Sequence, residues 1–217
     1  MPSIYLFRHG QDDEAYRGGW RQRGLVDEGF RQTSALAAYL RRERDRFPFA
    51  VLVSSDLRRA AETARAIADT LGIPLELSSA WRETNNGMLA GMSNREAQER
   101  YPGLYWRSLA MDERYPGGES PREHFRRIQR AFHYLSSAVI ANRMPSHVGV
   151  VTHGGVINII YHIVQKIEWS NRAPAVPVGM TSMHRLDYVD GRWIVAVANL
   201  QEHLDQGRRT PAERDEP

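Results

Sequence analysis

Short β-rich runs alternate with helical patterns along most of this 217-residue chain, and this alternation restricts the fold more than any other feature. Parallel strands need a long connection between them, and a helix is the usual one. The alternation therefore predicts an α/β fold of three layers, α/β/α, in which helices cover both faces of a mostly parallel central sheet. Strands are predicted at 3–7, 49–55, 74–78 and 147–152, with two more β-rich runs near the end. Asp-Gly at 190–191 joins those last two runs and predicts an antiparallel hairpin at one edge.

Capping residues predict where several helices begin and end. Ser120, Pro121 and Glu123 form a capping box with proline at the first helical position, so a helix is expected to start there. Asp56 follows the second strand and is expected to cap the next helix. Gly72 is expected to end that helix, because glycine readily adopts the left-handed conformation of a helix terminus.

No linker or repeat divides the chain, so one domain is expected over residues 1–204. Residues 205–217 are polar and contain proline, which predicts a disordered tail. Residues 84–119 form the least regular stretch and are expected to make a subdomain or lid over a site.

The composition excludes several classes of protein. Hydrophobic residues make up 41% of the chain and charged residues 25%, which are ordinary values for a folded, soluble protein. The formal net charge of +3 is too small to indicate a nucleic-acid partner. The chain has no cysteine, which excludes disulfides and thiolate metal sites and fits a cytoplasmic location. The longest apolar region contains His153, Asn158 and His162, so neither a membrane span nor a membrane partner is expected.

Three predicted strands end in residues that carry chemistry. The first ends in "RHG" at 8–10, the fourth ends in "THGG" at 152–155, and Arg58 and Arg59 follow the second. The carboxyl ends of parallel strands meet at one edge of a sheet, so two histidines and two or more arginines are expected to share a site. Arg58 and Arg59 point about 100° apart on a helix, so at most one of them can face that site. A lone histidine in such a place is more often bonded to backbone, and only the convergence of several groups indicates function.

Five motifs, taken in order, resemble those of the histidine phosphatase superfamily, the phosphoglycerate-mutase-like fold, and in particular its phosphatase branch. They are "FRHG", "SSDLRRAAETA", "WRETNNGMLAG", "YPGGES" and "VVTHGG". The resemblance extends from residue 3 to about residue 204, where "NLQEHL" is similar to the family's closing segment. It implies an α/β core with a small helical insertion. It also implies phosphoryl transfer through a phosphohistidine, without a metal or another cofactor.

The resemblance implies a role for each matching residue. His9 takes the position of the nucleophile that becomes phosphorylated, and Arg8 that of its phosphate-binding neighbour. Glu83 takes the position of the proton donor. Arg59, the second of the two adjacent arginines, and His153, the second histidine, complete the catalytic set. The residues implied to bind the substrate phosphate are Arg8, His9, Arg59, His153 and Gly154.

The loop after the nucleophile departs from the family pattern. Gln11, Asp12 and Ala15 stand where the family often has glutamate, threonine and asparagine. This difference concerns the substrate contacts and leaves the catalytic set intact. Arg17 and Gln22 lie in the same loop and are expected to supply substrate contacts instead.

A phosphatase is the function that these features favour. Glu83 and His153 lie 70 positions apart, and mutases of the family typically have a longer insertion there. A cofactor-dependent phosphoglycerate mutase is the alternative, and a non-catalytic protein that binds a phosphorylated ligand is a third hypothesis. The expected partner is a small phosphorylated substrate. The identity of that substrate stays open, as does the oligomeric state, with a homodimer among the alternatives.

Overall fold

Six strands form one mixed sheet in the computed structural model, which describes residues 1–205. In chain order the strands are β1 (Ser3–Arg8), β2 (Val51–Ser55), β3 (Leu75–Ser78), β4 (His147–Thr152), β5 (Met183–Val189) and β6 (Arg192–Leu200). Their order across the sheet is β3-β2-β4-β1-β5-β6. The first four are mutually parallel, and β5 and β6 pair antiparallel. The predicted mostly parallel sheet with an antiparallel edge hairpin is confirmed.

Helices connect the strands and cover both faces of the sheet. The helices are α1 (Asp27–Arg42), α2 (Arg58–Leu71), α3 (Asn94–Arg100), α4 (Pro121–Ile140), α5 (Gly154–Gln165) and α6 (Glu202–Asp205), with 3₁₀ turns at Ser79–Trp81, Gly87–Leu89 and Trp106–Ser108. Ile4 and Leu6 of β1 pack with α4 and α5, whereas Tyr5 and Phe7 pack with α1 and α2. Successive strand residues point to opposite faces, so this division produces two separate cores. The three-layer architecture is therefore confirmed.

Two helix ends and the edge hairpin have the local geometry that their residues predicted. Ser120 Oγ accepts a hydrogen bond from the Glu123 N–H at 3.2 Å, and the Glu123 carboxylate accepts one from the Ser120 N–H at 2.9 Å. Gly72 follows the last turn of α2 with a φ of 64°, in the left-handed region. Asp190 and Gly191 have φ values of 49° and 77°, as a type I′ turn requires.

The expectation that Asp56 caps α2 is wrong. The helix begins at Arg58, and Leu57 occupies the cap position without a side-chain hydrogen bond. The Asp56 carboxylate instead accepts two hydrogen bonds of 2.6 Å from the guanidinium of Arg82. A bidentate arginine–carboxylate pair is stronger than one bond to a backbone N–H, so Arg82 holds the carboxylate away from the helix. The pair ties the end of β2 to the segment that leads into Glu83.

The segment 84–119 folds as a small insertion with its own core. Leu89 and Leu109 are buried there, and Trp106 packs against them. The Asn171 amide donates to the carbonyl oxygens of Trp106 at 2.7 Å and Leu109 at 2.9 Å. These bonds attach the insertion to the loop after α5, beside the carboxyl edge of the sheet.

The end of the chain is described only in part. Asp205, which was expected in the tail, is the last residue of α6. The rest of the predicted tail, residues 206–217, lies outside the described residues, and the single domain over 1–204 stays a prediction. Over residues 1–205, none of the helices has the length and apolar character needed to cross a membrane.

We expect His184 on β5 to make the fold sensitive to acid. It is completely buried, and its Nδ1 lies 2.7 Å from the Tyr161 hydroxyl and 3.2 Å from the Asn199 N–H. Burial lowers the pKa of His184 to about 4. The unfolded chain has a pKa of about 6.5 at this residue, so it binds the proton first as the pH falls. The stability contributed by the neutral imidazole is therefore full above about pH 6.5 and is lost as the pH falls towards 4.

Urea unfolding at pH 7 and pH 5 measures this effect. Through His184 alone, the wild-type free energy of unfolding should fall by about 2 kcal/mol between the two pH values. His184→Gln should lose about 2 kcal/mol less over the same interval. Each protein is compared with itself, so a lower stability of the variant at pH 7 does not affect the result. Equal losses in the two proteins would contradict the assignment.

Candidate active site

The carboxyl ends of adjacent parallel strands bring the predicted residues together. Strand β4 lies between β1 and β2, and Arg8 is paired in register with Thr152. His9 and His153 follow these two residues, and their ring centroids lie 5.0 Å apart. Arg59 reaches the same place from the first turn of α2. Two histidines and two arginines therefore share one rim of the sheet, as the strand ends indicated.

The imidazole of His9 is held in one tautomer. It is only 4% exposed, and its Nδ1 lies 2.7 Å from the carbonyl oxygen of Gly10, so Nδ1 carries the proton. The lone pair is then on Nε2, which accepts a hydrogen bond from Arg59 Nε at 3.2 Å. Burial, and then the positive charge of Arg59, hold the pKa of His9 well below its usual range. His9 is therefore neutral at physiological pH, with an unprotonated Nε2.

The glycine after His9 is required by packing. A Cβ at residue 10 would lie 2.6 Å from the carbonyl oxygen of Gly29 and 2.7 Å from Thr33 Oγ1, both in α1. The Gly10 N–H donates to Thr63 Oγ1 of α2 at 3.1 Å. Glycine thus allows the chain to pass between α1 and α2 directly after the strand. This close packing of Gly10 also positions its carbonyl oxygen, which accepts from His9 Nδ1 and so determines the tautomer of His9.

Arg59 is almost completely buried, whereas Arg58 is exposed. The Arg59 guanidinium donates to the carbonyl oxygens of Gly19 at 2.9 Å and Arg21 at 3.3 Å. Burial lowers the pKa of Arg59 to about 10, so the group is still charged at neutral pH. Arg58 pairs with Glu62 one turn further along α2, at 2.7 Å. Of the two adjacent arginines, the second faces the site.

Asp12 is a buried acidic residue whose position the motifs did not indicate. Its Oδ2 lies 2.5 Å from an amino nitrogen of Arg21 and 3.4 Å from Arg59 Nε. Burial opposes the ionisation of Asp12, but the charge of Arg59 and the charge and hydrogen bond of Arg21 outweigh it and hold the pKa of Asp12 below its usual value. Asp12 therefore balances the buried charge of Arg59. The only sequence signal for it was an acidic pair, "DD", in a loop rich in arginine.

Arg8 and His153 each hold a buried nitrogen that has no hydrogen-bond partner within residues 1–205. In Arg8 this atom is Nε, and in His153 it is Nδ1. Ser55 Oγ accepts from the Leu57 N–H and lies 2.8 Å from His153 Nε2. Within residues 1–205 this nitrogen is the one acceptor in reach of the Ser55 hydroxyl, so the hydroxyl donates to Nε2 and the ring proton is on Nδ1. Burial holds the pKa of His153 far below its usual value, so this ring is neutral too. Two unsatisfied donors beside His9 favour the binding of an anion.

The carboxylate of Glu83 is fixed by two backbone donors. Oε2 accepts from the Gly155 N–H and Oε1 from the Thr84 N–H, each at 3.0 Å. A Cβ at residue 155 would lie 2.5 Å from Glu83 Oε1, so a side chain there would displace the carboxylate from this position. A Cβ at Gly154 would meet nothing closer than the Arg8 guanidinium at 3.9 Å. The second glycine of "HGG" is therefore the one that the carboxylate requires.

Arg127 of α4 holds the backbone that carries Glu83. Its guanidinium donates to the carbonyl oxygens of residues 80, 82 and 83 at 3.0, 2.8 and 3.1 Å. It also pairs with Glu119 at 2.6 Å, and His124 Nδ1 lies 3.0 Å from the same carboxylate. Burial opposes the charge of Glu119, but the bonds from His124 and Arg127 lower its pKa to about 2. These residues were missed, although His124 lies one turn before Ile128 on the buried face of α4, and a polar residue on such a face is a signal that could have indicated it.

Two adjoining cavities lie among these groups. The smaller, of about 360 Å³, is lined by residues that include Arg8, His9, Asp12, Arg59, Glu83 and Gly154. The larger, of about 610 Å³, shares Glu83 and Gly155 with it and is lined by Arg17. Gln22 is exposed and lines neither, because its neighbour Arg21 turns inward to Asp12 and leaves Gln22 outside. Of the two expected substrate contacts, the structure brings only Arg17 to a cavity.

Residues 4–201 match the family model of the histidine phosphatase superfamily (branch 1). The chain belongs to this superfamily. A glucosyl-3-phosphoglycerate phosphatase of Mycolicibacterium vanbaalenii is 34% identical over 166 residues, which cover 71% of this chain and 70% of the relative. A 2,3-bisphosphoglycerate-dependent phosphoglycerate mutase of Methylobacterium radiotolerans is 28% identical, with 94% of this chain and 98% of the relative covered. The native structure of a mycobacterial glucosyl-3-phosphoglycerate phosphatase gives a TM-score of 0.73 at 26% identity, covering 93% and 100% of the two chains.

The resemblance in the motifs is thus confirmed at the level of family and fold. In this histidine phosphatase, four of the five residues implied to be catalytic line the smaller cavity, and His153 lies against His9. Over residues 1–205, no three or more histidine, aspartate or glutamate side chains are grouped so that they could hold a metal ion.

We expect His9 of this histidine phosphatase to stay neutral in mild acid. Burial and the neighbouring guanidinium groups lower its pKa, so it should not titrate near the ordinary histidine value of about 6.5. Nitrogen-15 NMR of histidine-labelled protein should show His9 with Nδ1 protonated and Nε2 unprotonated from pH 7.5 down to pH 5. The imidazole signal that is missing from the spectrum of His9→Gln is assigned to His9. A transition of this ring near pH 6.5 would show that the geometry does not control its protonation.

Proposed function

We propose that this chain is a phosphomonoesterase that dephosphorylates a small molecule through a phosphohistidine on His9. One observation carries the proposal. The unprotonated Nε2 of a buried, neutral His9 accepts a bond from Arg59 beside a small cavity that Arg8 also lines. Membership of the histidine phosphatase superfamily supports it. The proposal includes a cytoplasmic location and no metal or other cofactor.

In the first step, His9 Nε2 attacks the phosphorus atom of a phosphate monoester. The N–P bond forms, and the bond from phosphorus to the ester oxygen breaks with its electron pair going to that oxygen. The hydrogen bond from Arg59 Nε to His9 is lost, and the guanidinium donates to a phosphoryl oxygen instead. Arg8 and the Nδ1–H of His153 supply further donors to the phosphoryl oxygens. The Nδ1–H of His9 stays bonded to the Gly10 carbonyl, which stabilises the positive charge of the phosphorylated ring.

Glu83 acts as proton donor and then as proton acceptor in this proposal. It lines both cavities, so it lies where the ester oxygen would connect the phosphate in the smaller cavity to the organic group in the larger one. The protonated carboxyl gives its proton to the leaving oxygen. In the second step the carboxylate takes a proton from water while the water oxygen attacks phosphorus. The N–P bond then breaks, its electron pair returns to Nε2, and inorganic phosphate and an alcohol are the products.

The amino end of α5 supports the binding of phosphate at the same place. Gly154 is the first residue of this helix, and both Gly154 and Gly155 line the smaller cavity. A helix N-terminus carries a partial positive charge and free N–H groups, so it favours a bound anion.

A phosphoglycerate mutase is the second candidate, because a mutase relative matches 94% of this chain. A mutase must pass the phosphoryl group to an acceptor before water reaches it. The larger cavity adjoins the phosphate pocket and leaves room for water, which supports the phosphatase. The length of the insertion between Glu83 and His153 does not separate the two functions, because 98% of the mutase relative is covered by this chain.

We expect a covalent intermediate on His9 during turnover. Rapid quenching of a reaction with a phosphorus-32-labelled monoester should trap a label that is labile in acid and stable in base, as a phosphoramidate is. The His9→Ala variant should show neither label nor turnover, because no other side chain is placed for attack. Chelator treatment should leave the wild-type rate unchanged.

The fate of the label distinguishes the two candidate functions. Rapid loss of the label to water supports the phosphatase, and efficient transfer to 3-phosphoglycerate supports the mutase instead. Label that persists in His9→Ala, or that maps to another residue such as Ser55, would refute the mechanism.

The adjacent arginines provide a matched pair of variants. Arg59→Ala should lower kcat/KM by at least about tenfold, because it removes charge-assisted hydrogen bonds worth about 1.5–3 kcal/mol each. Arg58→Ala should change kcat/KM by less than about twofold, because the exposed Arg58 side chain pairs only with Glu62. Steady-state hydrolysis of p-nitrophenyl phosphate measures both.

Removing Arg59 also deletes one of the two cations beside Asp12, of which Arg21 is the other, so folding is checked by thermal unfolding. Arg59→Lys keeps the charge and serves as a second variant, which should lose activity while remaining folded, because an ammonium cannot reproduce the planar fork. Equal losses in Arg58→Ala and Arg59→Ala would mean that Arg59 does not bind phosphate.

A further inference from the structure

Four large aromatic side chains lie in the wall of the larger of the two cavities. Tyr105, Trp106 and Tyr115 come from the insertion, and Trp169 comes from the loop after α5. The ring centroids of Trp106 and Trp169 lie 6.2 Å apart. Those of Trp106 and Tyr115 lie 6.4 Å apart, with planes inclined by 15°. At about 610 Å³, the cavity is within the range of sites that bind small molecules.

These rings are held in place by packing and hydrogen bonds around them. Trp169 stacks on Phe125 of α4, with centroids 5.3 Å apart and planes inclined by 17°. The carbonyl oxygen of Trp106 accepts from the Asn171 amide at 2.7 Å. The aromatic surface therefore exists before substrate binds, and binding loses little conformational entropy in the protein.

Two asparagines that line the cavity are already bonded to protein backbone. Asn158 donates to the carbonyl oxygen of Gly154 at 2.9 Å and accepts from the Val176 N–H at 2.7 Å. Asn171 donates to two carbonyl oxygens of the insertion. Side-chain amides are good partners for sugar hydroxyls, but Asn171 uses both of its amide N–H groups within the protein and Asn158 uses one of its two. Within residues 1–205, these two residues therefore leave one amide N–H group for a ligand. A third lining asparagine, Asn86, accepts from the Trp20 N–H at 3.2 Å through its Oδ1.

The charges around the cavity disfavour a cationic ligand. Arg17 and Arg107 line it, and Glu83 is the only acidic side chain among its lining residues within 1–205. The Arg17 guanidinium lies 4.6 Å from the centre of the Tyr105 ring, in a cation–π contact. An ammonium group in the substrate would be repelled by both arginines.

We propose that this cavity binds the leaving group of the substrate and that this group carries a flat, uncharged or anionic aromatic ring. The substrate class is then the phosphate monoesters of alcohols that bear such a ring. The inference rests on the proposed function, because it places the ester oxygen at Glu83, where the two cavities adjoin. The ring packs on Trp106 and Trp169, and the phosphate lies beside His9.

Three esters of primary alcohols test this proposal: 2-phenylethyl phosphate, 2-cyclohexylethyl phosphate and glucose 6-phosphate. Their leaving alcohols have similar acidity, so differences in kcat/KM report on recognition of the organic group. The phenyl ester should exceed the cyclohexyl ester by about fivefold, because a flat ring stacks on aromatic walls and a puckered ring does not. It should exceed glucose 6-phosphate by at least about tenfold. Equal values for the three esters, or the highest value for glucose 6-phosphate, would overturn the proposal.

Variants of the cavity wall locate the effect. Trp106→Leu and Trp169→Leu keep an apolar side chain and remove the ring, so the phenyl-to-cyclohexyl ratio of kcat/KM should fall towards one. Tyr134→Leu is the matched control, because Tyr134 is 73% exposed on α4 and lies outside the cavity, and its ratio should equal that of wild type. Both esters are measured on one preparation, so the ratio does not depend on the folded fraction. An unchanged ratio in both tryptophan variants would overturn the proposal.

Hydrolysis of p-nitrophenyl phosphate by wild type, and its loss in His9→Ala, report separately on the proposed function. If the wild type hydrolyses this ester but does not discriminate among the three alkyl esters, the phosphatase stands and the aromatic specificity is wrong. If no monoester is hydrolysed, both are wrong.

Discussion

The buried positive charge of Arg59 is the interaction on which the rest of the site depends. Taking a guanidinium out of water costs on the order of several kcal/mol unless the protein replaces its hydration. Asp12 and two backbone carbonyl groups do so here, and all three belong to the loop 11–24. Arg59 therefore becomes buried when this loop folds over the end of β1. The same burial and charge keep His9 neutral, so the arrangement that stabilises the loop also gives His9 the unprotonated Nε2 that the proposed mechanism needs.

The site carries more hydrogen-bond donors than acceptors, and this imbalance has a physical reason. Arg8 Nε and His153 Nδ1 are buried without partners among residues 1–205, which is costly in a folded protein. Arg8 is held by its bond to the Val178 carbonyl oxygen at 2.6 Å and His153 by the Ser55 hydroxyl at 2.8 Å, so the two donors do not turn away to find acceptors. A phosphoryl group supplies those acceptors without any rearrangement of the protein. Donors that are held in advance stabilise charge in the transition state more than donors that must be reoriented.

The sequence predicted the rim of the site because local signals are sufficient there. His9 follows an apolar strand, and the parallel pairing of that strand fixes the position of His9. Helical periodicity shows that Arg58 and Arg59 point in different directions, so that one of them can face the site. Asp56 was wrongly predicted as a helix cap, because Arg82 competes for its carboxylate from 26 positions away and no local pattern shows that pairing. Asp12 was missed for a related reason. It lies in a loop without periodicity, and its partners are defined only when α2 packs against that loop.

The chemistry and the selectivity of this molecule rest on different parts of the chain. His9 is anchored in the sheet, whereas the aromatic cavity is built by the segment 84–119 and Trp169, which a small core and the Asn171 amide hold together. The cavity can therefore change its residues without moving the nucleophile. Glu83 lies at the boundary, but its carboxylate and its backbone are both fixed from the sheet side, by α5 and α4. In the proposed mechanism, proton transfer from Glu83 consequently stays aligned with the phosphate whatever group the cavity holds.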